Sequence, residues 1–324
     1  TIPMVNLDTV DFAWIKNRDN VEWNHVFDSI RGNVSVSTND TATEATISAR
    51  YASATVTLSS NGIEIVDSNY NSGEVYFNGR TYVAWCASLP NHTPSNTAGT
   101  ITSETKANSF MSVVKYLGNG VNGTSVGHGL SKAPELIIEK GLESAYSWTV
   151  RGNVVGSGFK LFLDGTIART ASGVDIGATS TTFLCSETLY ANELNKYTIA
   201  YAFTSVAGKC KVGSYTGTGA AGNVVDCGFE PAWVMVKGAD IAGHWYIWDG
   251  ERGDNLNLYA SLSSVEDTSN HAFTSSGFTI NSTDTGVNGS GGTYIYLAIA
   301  KDVDGTIPKY DLTYPTQTAP TRIA

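Results

Sequence analysis

Clusters of basic residues are missing from this chain. Its 324 residues carry 20 lysines and arginines against 30 aspartates and glutamates, a net charge of −10. Binding along a nucleic-acid backbone needs a basic face, so nucleic acid is excluded from the expected partners. No segment reaches the roughly 20 apolar residues that a membrane helix requires, and no membrane insertion is expected. A charged-then-apolar leader is missing too, and the chain opens on Thr1, so the sequence reads as trimmed or continued upstream. The four cysteines, Cys86, Cys185, Cys210 and Cys227, form no CxxC pair. They read as buried thiols of a chain that folds in a reducing cytoplasm, with Cys210 and Cys227, which flank one glycine-rich hairpin, as the single pair placed to bond. The five histidines are scattered without metal-ligand spacing, and no Gly-x-Ser-x-Gly elbow occurs. Gly118-Asn-Gly120 and Gly217-Thr-Gly219 lack the helix and lysine of a phosphate loop and read as hairpin turns. No catalytic residue, metal site or cofactor is expected, and the chain is read as a non-enzyme.

What is present is a repeat. Phe12-Ala-Trp-Ile-Lys16 and Trp233-Val-Met-Val-Lys237 are each followed by an aspartate twelve residues after the lysine, Asp28 and Asp249. Each then has an Arg-Gly pair beginning at residue fifteen, Arg31-Gly32 and Arg252-Gly253. Tyrosine-bearing strands close both copies, Arg80-Thr-Tyr-Val-Ala-Trp-Cys86 and Gly292-Thr-Tyr-Ile-Tyr-Leu-Ala-Ile-Ala300. A worn middle copy keeps Leu136-Ile-Ile-Glu-Lys140, Trp148, Arg151-Gly152 and Lys196-Tyr-Thr-Ile-Ala-Tyr-Ala-Phe203. Segments of this kind, bounded by Gly, Asn and Asp turns, are short strands, and no window shows a sustained helical period.

The fold class expected is all-β: tandem β-sandwich repeats of jelly-roll or lectin-like type, each about 100 residues long. The boundaries read as 1–110 for a first, N-terminally trimmed repeat, 111–206 for a degenerate second and 207–301 for a third. Residues 302–324 form an extended C-terminal arm. Propeller blades usually run about 40–50 residues, too short for this period. Copies two and three are each preceded by a Tyr-x-Gly-x-Gly strand and turn. The first copy starts almost directly at Phe12, so its opening edge strand is either absent or supplied from upstream.

Asp249-Gly-Glu-Arg-Gly-Asp254 has acids enough for a glycosidase pair or a calcium site. What repeats, however, is an Asp-x-x-Arg-Gly corner, in which the arginine braces a turn through the aspartate and backbone carbonyls. The candidate residues of that structural corner are Asp28, Arg31, Arg151, Asp249 and Arg252. Lys16, Lys140 and Lys237 read as solvated strand ends or charges that blunt a sheet edge. The tryptophans read as core.

The succession Trp14-Ile-Lys-Asn-Arg-Asp19, His25-Val-Phe-Asp-Ser-Ile-Arg-Gly32 and Tyr82-Val-Ala-Trp-Cys86 resembles the repeat of a family of tailed-bacteriophage virion proteins. Val126-Gly-His-Gly-Leu-Ser-Lys-Ala-Pro-Glu-Leu-Ile-Ile138 and Gly228-Phe-Glu-Pro-Ala-Trp233 extend the resemblance. It implies a lectin-like module of a tail fibre or another surface appendage, located in the virion and assembled in the host cytoplasm. The partners it implies are the chain itself as a homo-oligomer, a trimer by analogy, other virion proteins and host surface glycans. A capsid decoration protein or a cellular surface filament shares the expected fold. A glycan-degrading enzyme would need two acids facing across a cleft, and no such pair stands out. In the arm, Tyr310, Leu312 and Tyr314 alternate as an edge-docking segment does, which points to a contact between subunits.

Overall fold

Glycine and asparagine turns break the sequence into short runs of β-branched and aromatic residues, and these runs form strands throughout. The computed structural model describes residues 2–3, 9–46, 54–60, 62–67, 74–75, 77, 79–185, 188–301 and 310–313. All strand pairing within its sheets is antiparallel.

The first region contains β1 (Ile2–Pro3), β2 (Phe12–Asn17), β3 (His25–Asp28), β4 (Val36–Ser37), β5 (Ala54–Ser59), β6 (Gly62–Asp67) and β7 (Thr81–Ala87). The second contains β8 (Asn91–Asn96), β9 (Ser103–Ala107), β10 (Met111–Leu117), β11 (Ser125–Gly127), β12 (Leu136–Gly141), β13 (Thr149–Gly152), β14 (Phe159–Phe162), β15 (Thr170–Ala171), β16 (Thr182–Leu184) and β17 (Tyr197–Phe203). The third contains β18 (Cys210–Thr216), β19 (Asn223–Asp226), β20 (Pro231–Gly238), β21 (Tyr246–Asp249), β22 (Leu256–Tyr259), β23 (Asp267–Thr268), β24 (His271–Thr274), β25 (Gly277–Ile280) and β26 (Thr293–Ala300). The short helix α1 (Thr285–Asn288) starts at Asp284, whose carboxylate caps the Gly286 N–H, and β27 (Tyr310–Thr313) comes last.

Each region builds one large sheet and one small one. The large sheets run β27-β7-β2-β3-β4, then β8-β9-β10-β17-β12-β13-β14-β15 by way of β9, and β18-β26-β20-β21-β22-β23. Their central pairs share one register: Lys16 faces Val83, Lys140 faces Ile199 and Lys237 faces Ile295. The small sheets, β1-β6-β5, β11-β16 and β19-β25-β24, pack on one face of their large partners. Val56 and Ile63 meet Ala13, Ile15 and Tyr82 in the first such cluster. Phe183 meets Val114 and Ala200 in the second, and Phe278 meets Val234 and Tyr296 in the third. The middle small sheet lacks a third strand, which is where the sequence repeat fades.

The opposite faces of the large sheets meet each other. Trp14 and Trp85 of the first, Ile138 and Tyr201 of the second, and Trp233, Met235 and Leu297 of the third belong to one central cluster. A cavity of about 50 Å³ lies among residues of all three. Burial on both faces explains why the central strands are apolar at consecutive positions instead of alternating. The three regions thus share a core, where the sequence suggested tandem domains with separate ones. Trp14, Trp85, Trp148, Trp233, Trp245 and Trp248 are all buried.

Two boundaries also move. β8 and β9, read as part of the first repeat, pair onto β10 and extend the second sheet. The missing edge strand of the first region is supplied by residues 310–313: β27 pairs with β7 where β10 and β18 pair with β17 and β26. Tyr310 lies opposite Ala84 and Thr313 opposite Thr81, so the strand expected to reach another subunit closes on its own chain. Tyr314, Pro308, Pro315 and Pro320 lie outside the described residues. Cys210 belongs to the central cluster and Cys227 to the outer cluster of the third region, and all four cysteines are free, buried thiols.

Candidate functional site: the sheet junctions and an exposed aromatic group

The two Asp-x-x-Arg-Gly corners have the same geometry. Arg31 Nε donates to Asp28 Oδ2 at 2.6 Å and Arg252 Nε to Asp249 Oδ2 at 2.6 Å. The arginine backbone N–H groups donate to the other carboxylate oxygens at 2.9 and 3.0 Å. Each guanidinium also reaches the carbonyl two residues before its aspartate, that of Val26 or Ile247. The next residue, Gly32 or Gly253, has φ of +76° or +102°, which favours glycine and accounts for the Arg-Gly pair. Both ion pairs are buried. Burial alone would raise the Asp249 carboxyl, but the guanidinium and N–H of Arg252 and the Trp85 indole hold it below its ordinary value.

Each corner is completed from another sheet. Tyr201 of the second donates to Asp28 Oδ2 at 3.0 Å, and Trp85 Nε1 of the first donates to Asp249 Oδ2 at 2.9 Å. Register makes Trp85, Tyr201 and Leu297 counterparts, opposite Trp14, Ile138 and Met235. The third sheet therefore offers Leu297, which has no polar group, where the other two offer a donor.

Arg151 does not belong to the corner in which the sequence reading placed it. It lies within β13 opposite Ile137, and Gly152, opposite Leu136, takes the place of Asp28 and Asp249. The corner's true counterparts are Val155, which is fully buried, and Gly156, whose φ is +107°. The middle corner is thus apolar where the others are ionic. Arg151 instead donates through Nε to Glu139 at 2.9 Å and through NH2 to the Leu184 carbonyl at 2.8 Å, inside the second region.

The recurring lysines, read as solvated, are buried. Lys16 Nζ donates to the carbonyls of Glu22 (2.8 Å) and Ser263 (2.9 Å). Lys140 Nζ donates to Tyr146 (2.6 Å) and Thr41 (2.8 Å), and Lys237 Nζ to Gly238 (3.0 Å) and Thr166 (3.3 Å). In every case one acceptor is local and one comes from a different region: third onto first, first onto second, second onto third. Carbonyls four residues before those remote acceptors take a second bond. Asn24 Nδ2 donates to Tyr259 at 2.7 Å, Trp148 Nε1 to Ser37 at 2.7 Å and Trp245 Nε1 to Phe162 at 2.8 Å. A third, backbone bond repeats as well, from Glu266 N to Arg18 O, Glu44 N to Leu142 O and Arg169 N to Ala239 O. Three junctions carry the same three bonds in a closed cycle. Desolvation is the chief cause that lowers each of these lysines to about 8 from an ordinary 10.5.

The Lys140 site differs from the others in what surrounds it. Its local acceptor is the carbonyl of Tyr146, where the corresponding positions are Glu22 and Gly243. The Tyr146 ring is exposed and lies 6.1 Å from that of Tyr190, which lies 5.6 Å from Phe162. Lys160 Nζ sits 4.2 Å from the Tyr190 centroid. The Gly141 N–H donates to the Tyr190 carbonyl, and Ser144 donates to the Glu193 carboxylate beside the group. The backbone anchors of both tyrosines thus fix half-exposed rings next to polar side chains. Nothing in the sequence links Tyr146 to Tyr190, because their proximity depends on β12 and on the loop leading into β17.

Among the described residues no group of three or more His, Cys, Asp or Glu side chains is placed to hold a metal ion, and no helix is long and apolar enough to cross a membrane. A family model described as a domain of unknown function, DUF7483, matches residues 2–302. The chain belongs to the DUF7483 family. One family model therefore covers strands of all three large sheets of this DUF7483 chain, every strand but β27, in keeping with their common core. No curated protein and no solved structure matches it.

Proposed function

We propose that this DUF7483 chain is a virion structural protein, a component of a phage tail fibre or comparable surface appendage that contacts host surface glycans without catalysis. On this reading its three regions are copies of one jelly-roll-like unit, and the common register of their central strands supports that descent. The observation that carries the functional reading is the Tyr146, Tyr190 and Phe162 group. Half-exposed aromatic faces next to hydroxyl and carboxylate groups suit the apolar face and the hydroxyls of a sugar ring. They sit on a body whose junctions are cyclically bonded, which keeps the display rigid, and several copies per particle would add avidity. The resemblance of its motifs to the repeat of tailed-phage virion proteins is what supports the location. A capsid decoration protein is the second reading, favoured by the closure of the three sheets on one core instead of an elongated tandem array.

A glycan array tests the reading. The parent chain is expected to retain a restricted set of glycans, and the Tyr146→Ala/Tyr190→Ala double variant to lose retention about tenfold or more. Unchanged binding by a folded double variant would remove the aromatic group from the mechanism. Absence of any glycan binding by the parent would set adhesion aside and leave the decoration reading.

A further inference from the structure

In the second and third regions the strands that pair with β17 and β26, β10 and β18, come shortly before the central strands of their own sheets. The first region takes its outer strand from residues 310–313, more than two hundred residues from β7 in sequence. β27 is four residues long and pairs with β7 alone. A four-residue strand held at one edge is marginally stable and opens readily. When it opens, β7 is left with unpaired backbone groups in a register already set by β2.

We infer that β7 is a strand-acceptor site whose second occupant is residues 310–313 of another copy of this chain. Exchange costs little, because the pairing lost in one copy is regained in the next. The tether decides which occupant prevails. Nine residues, 301–309, tether β27 to β26, and so short a tether holds the chain's own strand at an effective concentration of about millimolar, so a dilute chain closes on itself. In a dense assembly the neighbour's strand competes, and each exchange links two copies through an unchanged sheet. This inference rests on the self-assembly part of the reading above and is independent of glycan binding.

Thr81 and Thr313 provide the test. The Thr81 carbonyl accepts the Arg18 N–H and so faces β2, which places Thr81 and Thr313 at a non-hydrogen-bonded pair, where cross-strand Cα atoms come closest. The four native thiols are buried and do not compete. The Thr81→Cys/Thr313→Cys chain, oxidised when dilute, is expected to give a cross-linked monomer on non-reducing gels. Oxidised near millimolar concentration, it is expected to give covalent dimers and higher species in rising proportion. A mixture of the two single variants, Thr81→Cys with Thr313→Cys, should give the mixed dimer under the same conditions. Intrachain cross-links at every concentration with no mixed dimer would overturn exchange, and no cross-link of either kind would overturn the β27–β7 pairing itself. Light scattering on the uncross-linked parent reports self-association separately, so the failure of assembly by any route is distinguishable from the failure of strand exchange.

Discussion

Replacing Asp28 with alanine should cost about 3–5 kcal/mol of stability, because it leaves the Arg31 guanidinium buried without its carboxylate. The nearest remaining acid, Glu44, is 3.9 Å from Arg31, and the Tyr201 hydroxyl loses the acceptor that it reaches across the junction. The middle corner shows how the same space is filled without charge: Gly152, Val155 and Leu297 stand where the other junctions place an aspartate, an arginine and an aromatic donor. The Asp28→Ala/Arg31→Val/Tyr201→Leu variant copies that solution and should recover part of the loss, since no guanidinium or hydroxyl is then left buried without a partner, although the smaller side chains leave some of the space unfilled. Urea titrations of the single and triple variants check this. A triple variant no more stable than Asp28→Ala would contradict the equivalence of the corners.

Alkali should stabilise the protein before it harms it. Burial holds Lys16, Lys140 and Lys237 at about 8, below the ordinary 10.5 of the unfolded chain. Between those two values the unfolded state binds more protons than the folded one, so stability rises with pH in that window and is lost as pH falls through about 8. Each lysine contributes up to about 3 kcal/mol. The gain ends at about pH 9, because burial, the first cause in each case, also raises the Cys86, Cys185, Cys210 and Cys227 thiols, and their contribution is lost as pH climbs above the unfolded thiol value; that of Tyr82, Tyr116, Tyr201 and Tyr215 is lost in turn above the unfolded tyrosine value. Unfolding free energies measured from pH 7 to pH 9 are expected to increase by a few kcal/mol, about 1.4 kcal/mol per lysine for each pH unit above 8. A flat or falling profile would mean that the three ammonium groups are hydrated in the folded protein.

The all-β class and the corners were legible in the sequence because they rest on local features. An aspartate three residues before an arginine, followed by a glycine at positive φ, is a contact within one turn, and its spacing survives in the chain. The burial of the lysines was not legible. Their ligands are carbonyls, which no side-chain pattern reports, and one in each set comes from a different region, as Ser263 does for Lys16. Arg151 misled because an Arg-Gly pair also occurs inside β13, while the true corner kept only Gly156 and had exchanged both charges for apolar packing. The alternation of residues 310–314 identified an edge strand without naming its edge, since backbone pairing is indifferent to which chain offers the acceptor. The exposed group at Tyr146 was hidden by the same long-range geometry, its two tyrosines being brought together by strands far apart in the sequence.

Three large sheets that share one core and a cycle of nine repeated bonds form a single cooperative body. Differential scanning calorimetry of the whole chain tests this most directly. One transition is expected, with calorimetric and van't Hoff enthalpies that agree, and the Asp28→Ala substitution should move that whole transition to lower temperature. Two or three separable transitions, with Asp28→Ala shifting only one of them, would show tandem domains that unfold independently and would contradict the shared core.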